Sequence, residues 1–313
     1  MQNFFFGSSH SNYNKLLLTA ALLIHLIFGI LAINRDNITA DEQDHLNYGI
    51  SVLKGNTARR DTAQDFTSTM PVSALNALPR AVEQVFYPGL QKNDFGKQDT
   101  MRGRYITLAF SLLLICLIYF FAKEFAPPWI ASVTSFLAAT DPNFLAHGHL
   151  VTTDIFATVS FLATIYFLYK WTVLDQRKYF FYWCIAIAVA QCCKMNNVIL
   201  YPISLVIIVM MNVFNGRVNG KHFGNLAIFM VIQLLLINCF FLFEGTGTYL
   251  SNADFSSVKI TNLISFLPFD FPIPLPLTYL DGFDRMYLEI ESNKGFYQNY
   301  LLGELKAGKP FPE

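Results

Sequence analysis

The sequence predicts an all-α polytopic membrane protein with about seven transmembrane helices. Of its 313 residues, 53% are hydrophobic and only 14% charged, against roughly 25% charged in an average soluble domain. Five apolar runs, 16–33, 105–122, 155–171, 198–214 and 226–243, are long enough to cross a hydrocarbon layer. The Lys and Arg of the short loops fall on alternate connections, as the positive-inside rule requires.

The first run follows a polar lead with Lys15 and shows no small-x-small cleavage site, so it reads as an uncleaved first span. Two further spans are expected at 128–145, interrupted by Asp141-Pro142, and at 179–193. With seven spans, Lys15, Lys123, Lys170, Arg177, Lys178, Arg217 and Lys221 gather on one side, which is then cytoplasmic. The other side receives the first outer loop 34–104, the hinge 141–154, the link 194–197 and the tail. The expected division is a transmembrane core, 1–243, and an extracytoplasmic tail, 244–313. The 22 basic and 22 acidic residues balance, which leaves no basic stripe for nucleic acid. The five cysteines all fall in apolar stretches without ligand spacing and read as small hydrophobes.

The outer loop is expected to hold two interfacial amphipathic helices. Thr39-Ala-Asp-Glu42 fits a capping box, with Leu46, Ile50 and Leu53 following at helical spacing. A second helix is expected from near Pro79, with Val82, Val85 and Phe86 on one face and Pro88-Gly89 ending it. In the tail, the proline-rich tract 266–277 must run extended.

Three groups of polar residues stand out. Asp41 and Glu42 offer a carboxylate pair that can supply a general base. The competing reading is that Glu42 caps Thr39 and that both acids favour a helix N-terminus. Asp44 and His45 read as solvated neighbours. In the hinge, Asp141 before Pro142 reads as an N-cap, whereas Asp154 is an ionisable group at the mouth of a span and a functional candidate by default. His147 and His149 are candidate ligands for a metal or a phosphate, or plain hydrogen-bonding residues. Arg102, Arg104 and Lys194 lie at the outer ends of spans, where an anion such as a lipid phosphate would explain them; the alternative is snorkelling to headgroups.

In order and over almost the whole chain, these motifs resemble the GT-C glycosyltransferases, specifically the protein mannosyltransferase and aminoarabinose transferase group. The resemblance is carried by ADEQDHLNYGISVLKGN, RGRYITLAFS, DPNFLAHGHLVTTDIFAT, the Lys194 link, PLTYLDGF and YLLGE. It implies a polyprenyl-phosphate sugar donor of undecaprenyl or dolichyl type and a hydroxyl acceptor on protein, lipid or glycan. It further implies inversion at the sugar carbon, Asp41 as base with Glu42 beside it, and Asp154 as a second acid near the reacting centre. Lys194 and Arg102 or Arg104 would hold the donor phosphate. Metal-free and divalent-metal-assisted versions are both compatible with these residues. The expected setting is a bacterial inner membrane with the site facing the periplasm.

The chain departs from the group in carrying Thr69-Met70-Pro71 where a His-Pro-Pro pattern is common. It is also expected to correspond to the N-terminal half to two thirds of longer members. Two other classes compete: a donor-lipid-binding protein without activity, and a lipid or solute transporter. A transporter would place ionisable groups near the midplane, often with internal repeats; here they gather at one face.

Overall fold

The computed structural model describes residues 9–58, 60–61, 64–65, 70–87, 97–214, 221–291, 298–301 and 304–307. Pro88-Gly89, Thr69, Arg217 and Leu302-Gly303 of the YLLGE motif, although singled out by sequence, lie outside them. Contacts divide the chain into two compact units, 1–56 with 66–236, and 57–65 with 237–313. The second unit thus begins a few residues before the expected boundary and recruits a short piece of the outer loop.

The first unit is the helical membrane bundle. Among the described residues, three helices are long and apolar enough to cross a membrane: α1 (Ser9–Arg35), α4 (Lys97–Ala122) and α7 (Asp154–Leu174). Beside them lie the shorter α5 (Pro128–Thr140), α8 (Arg177–Cys193), α9 (Leu200–Phe214) and α10 (Lys221–Phe240), with α2 (Ala40–Leu53), α3 (Ser73–Phe86) and α6 (Pro142–His147) between spans. The described residues therefore form an all-α polytopic membrane architecture. Leu205, Val206, Val209 and Phe214 of α9 are exposed, which suits a surface that faces lipid rather than water. α5 packs along α1 and α4, and α8 along α7. The far end of the bundle is marked by an ion pair from Lys170 near the end of α7 to Glu124 beyond the end of α4, at 2.9 Å.

Local sequence explains the breaks. Pro127 and Pro128 open α5. Asp141 then caps α6 by accepting from the N–H groups of Asn143 (2.9 Å) and Phe144 (3.1 Å), with Pro142 at the first helical position. The expected 128–145 span is thus two helices meeting at a cap.

α3 differs from expectation. It starts six residues before Pro79, which lies inside the helix, although an interior proline costs about 3 kcal/mol. Tertiary contacts offset that cost. Ser73, Asn76 and Ala77 are buried, and Asn76 Nδ2 donates to Gly103 O (2.9 Å) and Thr107 Oγ1 (2.8 Å) on α4. Ala77 also packs with Leu46 of α2 and Val151 of the hinge. Gly49 lets α2 approach α3 closely, since a Cβ there would sit 2.2 Å from Ser73 O. Val82, Val85 and Phe86 at the far end of α3 stay exposed, as an interfacial helix requires.

The second unit has its own core. Leu242 and Phe243 adopt left-handed conformations (φ 53° and 57°), turning the chain out of α10. The proline-rich tract runs extended: Leu250 N–H donates to Phe271 O (3.1 Å) and Ile273 N–H to Thr248 O (2.9 Å). A helix that the sequence reading did not foresee, α12 (Leu277–Glu291), follows after Pro276, alongside the short α11 (Val258–Ser265). Asp284 of α12 is buried and accepts from the N–H groups of Ser256 (2.8 Å) and Ser257 (2.9 Å). Tyr300, Leu301 and Glu304 of the YLLGE motif fall on the paired strands β3 (Gln298–Leu301) and β4 (Glu304–Ala307), and β1 (Arg60–Asp61) pairs with β2 (Gln64–Asp65). These short pairs are the described exceptions to the helical architecture.

Candidate active site

The site forms at the end of the bundle where α2 meets the starts of α4 and α7 and the end of α8. Its foundation is Glu42, which is fully buried. Glu42 Oε2 accepts from Thr39 N–H at 2.9 Å, the returning arm of the capping box. The same carboxylate accepts from Arg104 through Nε (2.8 Å) and Nη2 (2.7 Å), and from Val151 N–H (3.0 Å). Arg104 is also buried, and its guanidinium donates to Asp36 O (3.1 Å) and Asn37 O (2.8 Å). One ion pair therefore ties the α1–α2 link, α2, α4 and the hinge together. Burial alone would raise the Glu42 pKa. The hydrogen bonds from Arg104, Val151 and Thr39 outweigh it and hold the carboxyl below the usual range.

Of the carboxylate pair, Glu42 takes the capping position at Thr39 that the sequence offered as the competing reading. Adjacent residues on a helix diverge by about 100°, and only Asp41 is exposed. Asp41 shares its face with His45 one turn on. His45 is no solvated neighbour: it is 7% exposed, with Nδ1 3.4 Å from Ser73 Oγ. It lies within electrostatic reach of Asp41, Asp44, Asp154 and Lys194. The i, i+4 spacing of Asp41 and His45 was the signal in the sequence that could have found it.

Asp154 opens α7, and Lys194 sits in extended backbone just after α8. Lys194 Nζ donates to Asp154 Oδ1 at 2.5 Å, and both side chains are about 40% exposed, at 43% and 41%. An open pair of this kind can exchange partners. The Arg104–Glu42 pair, at 1% and 0% exposed, cannot do so without uncovering a buried charge.

The remaining candidates lie elsewhere. Arg102, two residues from Arg104, projects from another face of α4 and pairs with Glu83 of α3, with Asp99 at 3.7 Å. Arg80 holds Asp99 at 2.9 Å in the same network. His149 is buried, with Nδ1 3.1 Å from Leu145 O and Nε2 3.1 Å from Asp36 Oδ2. His147 is exposed and within electrostatic reach of Asp154. The two histidines thus diverge, and no cluster of three or more metal-ligand side chains occurs among the described residues.

Burial holds the His45 pKa below its ordinary value, against the nearby Asp41, Asp154 and Asp44. A neutral folded imidazole has a defined linkage consequence. Below pH about 6.5 the unfolded chain takes up a proton that folded His45 does not. Stability present above that pH therefore falls as the solution is acidified. The thermal midpoint of the detergent-solubilised protein should drop less between pH 7.5 and 5.5 in His45→Gln than in wild type. Identical pH slopes would contradict a buried neutral His45.

A family model described as dolichyl-phosphate-mannose-protein mannosyltransferase matches residues 95–243. The matched segment contains Arg102, Arg104, the hinge, Asp154 and Lys194, while Asp41, Glu42 and His45 precede it. No curated protein and no solved structure matches the chain. Over residues 95–243, just under half of its length, the chain is thus similar to a family of membrane-bound, mannosyltransferase-like glycosyltransferases.

Proposed function

We propose that the protein transfers a sugar from a polyprenyl-phosphate donor to a hydroxyl acceptor at the membrane face where α2 lies. The observation that supports this is the open Asp154–Lys194 pair within electrostatic reach of His45, which follows Asp41 by one helical turn, in a chain similar over residues 95–243 to a glycosyltransferase family. In the reaction, the acceptor oxygen attacks the anomeric carbon as the bond from that carbon to the phosphate oxygen breaks. Its proton passes to the Asp41 carboxylate, and the polyprenyl phosphate leaves with the bond's electron pair. Phosphate is a good leaving group, so a base and a cation suffice, and single displacement inverts the anomeric centre.

Lys194 is the cation placed to meet the donor phosphate, leaving Asp154 to orient the ammonium and, on exchange, the acceptor or sugar. Arg102 is instead engaged by Glu83 of α3. Arg104 and Glu42 position Asp41 instead of touching the donor. The acceptor is taken to be a protein hydroxyl, the class that the family description names, with lipid or glycan acceptors following the same chemistry. The setting that fits the loop charges is a bacterial inner membrane with this face toward the periplasm.

Native mass spectrometry of the solubilised chain with a polyprenyl-phosphate sugar tests the donor side. Lys194→Ala should reduce donor retention at least tenfold, as loss of a charge-assisted contact to phosphate predicts. Equal retention by wild type and variant would remove Lys194 from the phosphate site.

A further inference from the structure

Lys194 sits between α8 and a short 3₁₀ turn, Met195–Ile199, in extended backbone (φ −158°, ψ 136°). A lysine ammonium is a compact charge on a flexible four-carbon stem, so the part of the residue that the fold can fix outright is its backbone. Both backbone groups are bonded. Lys194 N–H donates to Ala190 O (3.3 Å), and Lys194 O accepts from Asn197 N–H (3.0 Å).

Two buried amides close this stretch into a loop. Asn197 Nδ2 reaches back to donate to Ala190 O (2.9 Å), and Gln191 Nε2 reaches forward to donate to Asn197 O (3.0 Å), with Ile187 O at 3.4 Å. Residues 190 and 191 are thereby tied to 197 by bonds running in opposite directions, and Lys194 lies midway between them. Gln191 and Asn197 are 0% and 6% exposed. From outside the loop, Val72 N–H, just ahead of α3, donates to Cys192 O at 3.3 Å.

Ending α8 does not require this arrangement. Ala190 O already accepts from Lys194 N–H, so the Asn197 amide rescues no orphan carbonyl, and an amide costs free energy to bury. What the two amides add is a fixed backbone beneath a side chain that is itself 43% exposed. A half-exposed ammonium on a clamped chain keeps its reach to Asp154 and to an incoming anion while its base stays in place.

We propose that Asn197 and Gln191 are positioning residues for the Lys194 ammonium and act on the donor phosphate only through it. The inference rests on the reading of Lys194 as the phosphate-binding cation. Both amide nitrogens are engaged by carbonyls inside the protein, so neither is a ligand of the donor itself.

Native mass spectrometry of the full chain with polyprenyl-phosphate mannose, below the thermal midpoint of every variant, tests this through a double-variant cycle. Asn197→Ala removes one arm of the loop. Gln191→Met, which keeps the side-chain length, removes the other, so a variant that does not fold leaves its counterpart to complete the cycle. Each should lower donor retention about fivefold when Lys194 is present and no further in Lys194→Ala, because groups that act through one another are not additive. Wild-type retention in the amide variants would overturn the proposal and leave the phosphate reading standing alone. The same fold-loss with and without Lys194, the outcome expected of amides that only hold the bundle together, would also overturn it. Retention unaffected by Lys194→Ala would remove Lys194 from the phosphate site and this inference with it.

Discussion

Asp41→Asn should lower sugar transfer by a factor of roughly 10² to 10⁴, the usual contribution of a positioned general base, while donor retention stays near the wild-type level. The amide keeps the shape and the helix position but cannot take the acceptor's proton. The substitution lies on the exposed face of α2, so it leaves the Glu42 carboxylate and its five hydrogen bonds from Thr39, Arg104 and Val151 in place. Single-turnover transfer from a labelled donor checks the first expectation, and native mass spectrometry the second. Unchanged turnover in Asp41→Asn would remove Asp41 as the base and shift attention to Asp154, the other exposed carboxylate beside His45.

Arg104→Ala should have the largest effect on folding, a loss of about 3–5 kcal/mol, because it leaves a buried carboxylate without its counter-charge. The damage would spread further than one pair. The same guanidinium holds the carbonyls of Asp36 and Asn37, and the same carboxylate holds Val151 of the hinge. A double variant, Glu42→Leu with Arg104→Met, should recover part of the loss, since replacing both partners removes the uncompensated charge. Thermal unfolding of the three proteins in one detergent makes the comparison. An Arg104→Ala variant that unfolds at the wild-type temperature would show that the pair is not what fixes α2 to the bundle.

The two substitutions separate the roles that the sequence had merged. Reading Asp41-Glu42 as a pair of carboxylates treats neighbours in sequence as neighbours in space, and on a helix they are not. The capping box at Thr39 and Glu42 was legible because it is encoded within four residues, and so was the Asp141 cap before Pro142. The partner of Glu42 was not legible, because Arg104 is 62 residues away and nothing local distinguishes it from Arg102. Both arginines looked like phosphate ligands at a span's outer end. Their separation on the turns of α4 sends one into the core and the other to Glu83.

The long apolar runs likewise announced α1, α4 and α7, since length and composition alone determine whether a helix can cross a bilayer. The start of α3 was misplaced because proline at a helix start is the common case. Here burial of Asn76 and Ala77 against α4 and α2 extends the helix past it. The placement of His45 depended on the same packing, since Ser73 reaches it only when α3 begins at that residue.

The most direct test of a glycosyl transfer run by Asp41 and Lys194 is a single-turnover assay. The purified chain would be reconstituted in liposomes with a polyprenyl-phosphate sugar and a hydroxyl acceptor peptide. Release of polyprenyl phosphate together with a glycoside of inverted anomeric configuration, absent in Asp41→Asn, is the expected result. Product with retained configuration, or release that persists unchanged in Asp41→Asn, would contradict a single displacement with Asp41 as its base.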